Sequence, residues 1–183
     1  MSNSLGGLRE ARANLRRLES TIPRAVNAAI NRAGQMVKTE ATRQVRETYT
    51  VKAKSVNEQI QIRRSSPSTL SLRLSSKGGN LPLIRFKTSP SKPPAKQPRV
   101  LKAEVKKGVR KPIKGAFVTQ VGGHVGVLKR VGRARLPIKE LYGPAVPVML
   151  DNEEIRDKLE QVARRSLEDR LEHEMRRLTG GST

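Results

Sequence analysis

The stretch KPIKGAFVTQVGGHVGVLKRVGRARLPIKELYGPAVPVML, Lys111 to Leu150, constrains the fold more than any other part of the chain. Ala116 to Val121 has the β-branched and aromatic content of a short strand. Gly122-Gly123 supplies the positive φ that a tight reversal needs, and His124 to Val131 reads as the returning strand. Pro137, Pro144 and Pro147 then punctuate RLPIKELYGPAVPVML. Each fixes its own φ and biases the preceding residue away from the helical region. A segment this stiff and apolar packs on something, and helices on either side of it in sequence are the expected source of that packing.

Composition limits the core that can form. Hydrophobic residues make up 35% of 183, and Tyr49, Tyr142, Phe86 and Phe117 are the only rings, so the core must be aliphatic and modest. The absence of cysteine excludes disulfides, thiolate metal sites and a cysteine nucleophile. No apolar run approaches the roughly 20 residues of a membrane span, and MSNSLGGLRE lacks the apolar core of a signal peptide. The expectation is a soluble protein, made and used without export, with no membrane partner.

Helical periodicity marks both ends. Leu5, Leu8, Ala11, Leu15 and Leu18 fall on one helical face, with a break predicted around Ser20, Thr21 and Pro23. A longer helix is expected from Arg24 to Thr48, with Val26, Ala29, Ile30, Ala33, Met36, Val37, Ala41 and Val45 as a narrow stripe of mostly small residues. Asp151, with Glu154 three positions on, reads as the cap of a last helix. Its stripe runs from Ile155 through Leu159, Leu167 and Leu171 to Leu178, and Gly180-Gly181 ends it. That stripe is too long for one small sheet to cover, so Ile30, Ala33, Val37, Leu159, Leu167 and Leu171 are candidates for packing between helices or subunits.

Between the helices, a short helix is expected around Lys54 to Gln59, turning into a strand by Ile62. TLSLRLS, Thr69 to Ser75, alternates as a strand should; LPLIRF, Leu81 to Phe86, is its expected partner; VLKAEV, Val100 to Val105, alternates weakly. Thr88 to Arg99 holds four prolines and reads as an extended basic loop. The expected fold is α+β: a small antiparallel sheet of four to five strands packed with a long N-terminal helix and a long C-terminal helix. One domain would span 1–183, with helical residues 1–50, a basic β-rich centre 51–140 and the C-terminal helix in 141–183.

Catalytic signatures are missing from the pattern. His124 follows a turn, His173 sits on a charged helix, no serine lies in a nucleophile elbow, and neither glycine pair leads into a phosphate loop. The expectation is a protein that is no enzyme, with no cofactor and no metal site. Charge is the remaining signal. The net is +5 over residues 1–50, +19 over 51–140 and −2 over 141–183. Arg99, Lys106, Lys107, Arg110, Lys111, Lys114, Lys129, Arg130, Arg133 and Arg135 form a candidate surface for an anionic partner, either nucleic acid or an acidic protein. Four scattered rings are a poor platform for stacking bases.

In INRA (Ile30 to Ala33), VRETYTVK (Val45 to Lys52), LPLIRF, IKGAF (Ile113 to Phe117) and RLPIKELYGPAVPVML (Arg135 to Leu150), the chain resembles the minor tail protein Z family of long-tailed bacteriophages, the neck or tail-completion proteins. The resemblance implies a structural virion protein at the head-proximal end of the tail, assembled in the host cytoplasm and needed for tails to join heads. Implied partners are the tail terminator, tail tube, head connector or tape measure proteins, with copies of the chain in a ring, hexameric for the tail's symmetry. The basic residues would then face acidic tail surfaces or genomic DNA in the channel. The alternative is a basic RNA-binding or ribosome-associated protein, which a steep salt dependence of nucleic-acid binding would reveal.

Overall fold

The computed structural model describes residues 3–96, 98 and 100–180, and for residues 3–11, 13, 14 and 18 it describes the backbone alone. Leu5, Leu8, Ala11 and Leu18 of the first stripe therefore lie outside the described side chains, as do Arg99 and Gly181; Leu15 is 65% exposed. The chain forms two compact units. One comprises Lys38–Gln61 and Ser75–Lys158, the other Met1–Val37, Ile62–Leu74 and Leu159–Thr183. We call them the central and the terminal unit.

The architecture is α+β, with helices at both ends and small antiparallel sheets. Helix α1 runs unbroken from Asn3 to Thr48 with Pro23 inside it, so the break expected at Ser20 to Pro23 does not occur. A proline within a helix removes one ladder bond and costs about 3 kcal/mol. Here the helix continues because the stripe beyond Pro23 is packed: Ala25, Ala29, Ala33, Ala41 and Val45 are all buried. The Ser20 and Thr21 hydroxyls meanwhile donate to the Arg17 carbonyl at 3.0 and 2.6 Å. Helix α2 spans Ala53–Glu58 and leads into β1, Ile60–Arg63, close to expectation.

The β structure is split into three sheets where one was expected. β1 pairs with β2, Arg73–Ser76; β3, β4 and β5 (Lys87–Ser89, Leu101–Glu104, Arg110–Ile113) form a second sheet; β6, β7 and β8 (Ala116–Val121, His124–Arg130, Ile138–Glu140) form the third. The hairpin read from the sequence is present, with Val121 opposite His124 and both Gly122 and Gly123 at positive φ. TLSLRLS is strand only from Arg73, because Thr69 is in a turn and Leu70 has φ 42. Leu70, Leu72 and Leu74 nonetheless border one groove, as their alternation predicts.

LPLIRF is not a strand. Pro82 makes one bridge with Tyr142, and Leu83–Arg85 is a 3-10 turn. Such a turn brings residues three apart onto one side, and Leu83 and Phe86 are both buried, as is Leu81 ahead of it. Thr88 and Ser89, expected in the Pro-rich loop, belong to β3; among the described residues Pro90 to Val100 form neither helix nor strand.

Pro147 does not hold the exit extended. It opens a short helix, α3, Val146–Leu150, at the position where the missing N–H costs nothing. Helix α4 spans Glu153–Leu178. Its cap is Asn152, one residue later than expected: the Ile155 N–H donates to Asn152 Oδ1 at 3.4 Å, whereas Asp151 closes α3. Gly180, at φ +74, follows the helix end as a left-handed residue should.

The core is in the central unit, where Val45, Val51, Val56, Leu101, Val118, Val127, Val146 and Met149 are buried. Backbone bonds join the segments around it. Leu83 N–H donates to Leu141 O and Gly143 N–H to Leu81 O, both at 2.8 Å, so LPLIRF and ELYG lie side by side. The Phe86 ring lies against Gly143, where a β-carbon would stand 2.5 Å from Cε2. Among the described residues no helix is long and apolar enough to cross a membrane.

Candidate interaction surface

The sheets of the central unit set out the basic residues in rows. Lys106 and Lys107 lie in the β4–β5 turn, Arg110 and Lys111 on β5, and Lys114 in the turn to β6. Lys129 and Arg130 end β7, and Arg133 and Arg135 lie between β7 and β8. All nine are exposed. The structure thus places every described member of the sequence-derived set on the surface of one unit.

Their electrostatics differ along that surface. On the second sheet Lys87, Glu104 and Arg110 stand in one cross-strand row. Glu104 Oε2 is 3.0 Å from Lys87 Nζ, and Oε1 accepts the Gly108 N–H at 3.1 Å. The Lys87 bond first, and that amide second, hold the Glu104 carboxyl below the ordinary glutamate value. On the third sheet there is no such acid between the cations: Lys129 stands directly opposite Lys139. Like charges so placed repel, and an anion between them would relieve it. The Arg130 guanidinium stacks 5.9 Å from the Phe117 ring centre.

Beyond Arg130 the chain forms a closed finger. Val131 N–H donates to Pro137 O at 3.0 Å, and every residue from Val131 to Pro137 is exposed, including Arg133 and Arg135. Closer to β5, Lys106 and Lys111 line a groove of about 470 Å³ whose walls include Leu83, Val109, Ile113 and Tyr142.

One polar cluster was not legible from residue types alone. His124 Nε2 lies 2.8 Å from Glu140 Oε1, and the Tyr142 hydroxyl donates to Glu140 Oε2 at 3.0 Å. That bond raises the Tyr142 pKa. Gly126 makes room for the carboxylate, since a β-carbon there would stand 2.7 Å from Oε1. A glycine inside a strand was the available signal. Among the described residues no group of three or more His, Asp or Glu side chains is placed to hold a metal ion.

The second candidate set lies in the terminal unit. Ile30, Ala33 and Val37 on α1 and Leu167 on α4 line one apolar groove of about 420 Å³ with Leu70 and Leu72. Leu72 reaches over Gly34, a residue the sequence reading passed by, where a β-carbon would stand 2.3 Å from Cδ1. Leu159 and Leu171 are half-buried on α4 and do not line this groove.

Compared with protein-family models, the chain matches the one described as prophage minor tail protein Z (GPZ) over residues 5–180. The match takes in the Pro-rich loop and all of α4, where the sequence alone offers no motif. No curated protein and no solved structure matches the chain.

Proposed function

Because the chain belongs to the prophage minor tail protein Z family, whose members are structural proteins of phage tails, we propose that it completes the tail at its head-proximal end and mediates the joining of tails to heads. The observation that carries this reading is the extent of the family match, which leaves only the extreme ends of the chain outside it. In this role the chain is a single functional part, working as a homo-oligomeric ring in the neck, with hexameric symmetry matching the tail. Its neighbours are drawn from the tail terminator, tail tube, head connector and tape measure proteins. The terminal-unit stripe, with Ile30, Ala33, Val37, Leu159, Leu167 and Leu171, packs the helices and meets neighbouring copies.

The exposed cations of the central unit support contact with an acidic surface. Most are free of carboxylate partners among the described residues, and on the third sheet two of them oppose each other. Lysines and arginines in that state favour an anionic neighbour by both attraction and relief of repulsion. DNA in the channel is one such neighbour, met through its phosphates. Stacked bases are disfavoured, because Tyr142 is the sole exposed ring among the four. The RNA-binding alternative therefore gains nothing from the fold.

The test is a prophage carrying a deletion of this chain, induced and imaged by electron microscopy. Separate filled heads and full-length tails, joined again when the chain is supplied from a plasmid, are expected. Joined, infectious particles formed without it would overturn the reading.

A further inference from the structure

Two exposed features of the central unit are complementary to each other. The first is the finger, Val131 to Pro137, closed at its base by the Val131 to Pro137 backbone bond. It carries Arg133 and Arg135 with no carboxylate in reach among the described residues, and two aliphatic side chains in water, Val131 at 61% and Leu136 at 67% exposure. The second is an open notch of about 360 Å³ lined by Ser76, Pro147, Val148, Leu150 and Asp151, with Val148 63% exposed. Asp151 is one of its walls, and the exposed acids Glu153, Glu154 and Asp157 follow within the first turns of α4. Among the described residues only Asp151 has a cation partner, Arg156 at 3.5 Å.

We propose that the finger of one copy seats in the notch of the next. Leu136 covers Val148 and the Pro147 ring, and Arg133 and Arg135 meet the acidic rim. Each side offers what the other lacks: an aliphatic tip with paired positive charge, and an aliphatic floor with surplus negative charge. Exposed large apolar side chains ringed by charge mark association surfaces, and arginine is the cation most used in them. Finger and notch are different surfaces of one chain, so the contact is head-to-tail, and repeated copies close into a ring when the rotation permits. Closure of the ring holds every copy twice, so each contact is reinforced by the others. The inference rests on the ring proposed above and names the surfaces that build it.

The test uses the full-length chain and light scattering after size exclusion. R133E/R135E and E153R/E154R should each weaken self-association at least about tenfold. Mixed together, the two variants should assemble again with alternating copies, because the unchanged finger of one meets the unchanged notch of the other and the reversed finger meets the reversed notch. All four changes in one chain should restore the parent oligomer, which also shows that the variants fold. The chain has no cysteine, so L136C/V148C should give a ladder of disulfide-linked oligomers on oxidation, and neither single variant should. A parent oligomer untouched by both charge reversals, or a double-cysteine oligomer without a ladder, overturns finger-in-notch contact and leaves the ring reading standing. Loss of binding to another tail protein in R133E/R135E with self-association intact also overturns it, since the occupant is then not a second copy. A parent chain that is monomeric in solution and in isolated tails overturns both.

Discussion

Gln59 Oε1 accepts the backbone N–H of Val146 at 3.1 Å, and so joins the end of α2 to the start of α3 across 87 residues of chain. The same side chain donates through Nε2 to the Gly79 carbonyl at 3.1 Å, while its backbone carbonyl accepts from Ser76 and Lys77. Gly78 is flush beneath it, with room for no β-carbon. One amide therefore fixes the entry to α3, the only described partner of an otherwise orphaned amide at a helix start.

Gln59→Ala should destabilise the chain by about 1–3 kcal/mol, because it leaves the N–H of fully buried Val146 unpaired. Gln59→Glu keeps the acceptor and loses only the donor to Gly79, so its loss should be smaller. Urea denaturation of the two variants beside the parent decides this; equal losses would mean that the Val146 bond contributes nothing.

Gly143→Ala should cost about 1–3 kcal/mol, since the new methyl meets a buried ring that has nowhere to move. Gly34→Ala places its methyl even closer to a neighbour, but that neighbour is the free end of the half-buried Leu72 side chain. Removing a glycine from mid-helix also returns about 0.8–1 kcal/mol. Thermal melts should rank Gly143→Ala well below Gly34→Ala, the reverse of the order that distance alone gives.

Asn152→Ala should lower stability by about 0.5–2 kcal/mol through the lost cap of α4. Asp151→Ala removes only an exposed ion pair with Arg156 and should stay within about 1 kcal/mol. Helix content by circular dichroism and chemical denaturation together test the assignment, and a larger loss at Asp151 would return the cap to that residue.

Acid should weaken the second sheet. The Glu104 carboxyl is held below its ordinary value by Lys87 and by the Gly108 amide, so the ionised form is the one the fold prefers. A group depressed in the folded state stabilises above its unfolded pKa, and that contribution drains away as pH falls below about 4.5 through the folded value. Glu104→Gln should therefore flatten the acid limb of a stability–pH curve, and Lys87→Met should flatten it in part. An unchanged acid limb in Glu104→Gln would remove Glu104 as its source.

How far the sequence reached depended on whether the deciding signal was local. The β6–β7 hairpin was legible because Gly122-Gly123 permits a reversal there and little else. Pro23 was a local signal too, and it misled: whether α1 continues is decided by the packing that buries Ala25, Ala29 and Ala33, and a sequence window shows those residues without what covers them. LPLIRF reads as a strand because TLSLRLS before it needs a partner, yet Leu83 and Phe86 are the residues that a 3-10 turn sets on one side. Of the candidate surface, the cations were readable from charge alone. The contacts of Gln59 with Val146 and of His124 with Glu140 join residues far apart in sequence, and composition holds no trace of either.

Lys129 facing Lys139 leaves a small unspent repulsion in the third sheet, roughly 0.2–1 kcal/mol by the usual worth of a cross-strand pair. Such a debt is settled by whatever ions surround it, since screening shortens its reach to about 8 Å at physiological salt. The chain's melting temperature is therefore partly a property of its bath: desalting lowers it, and multivalent anions raise it.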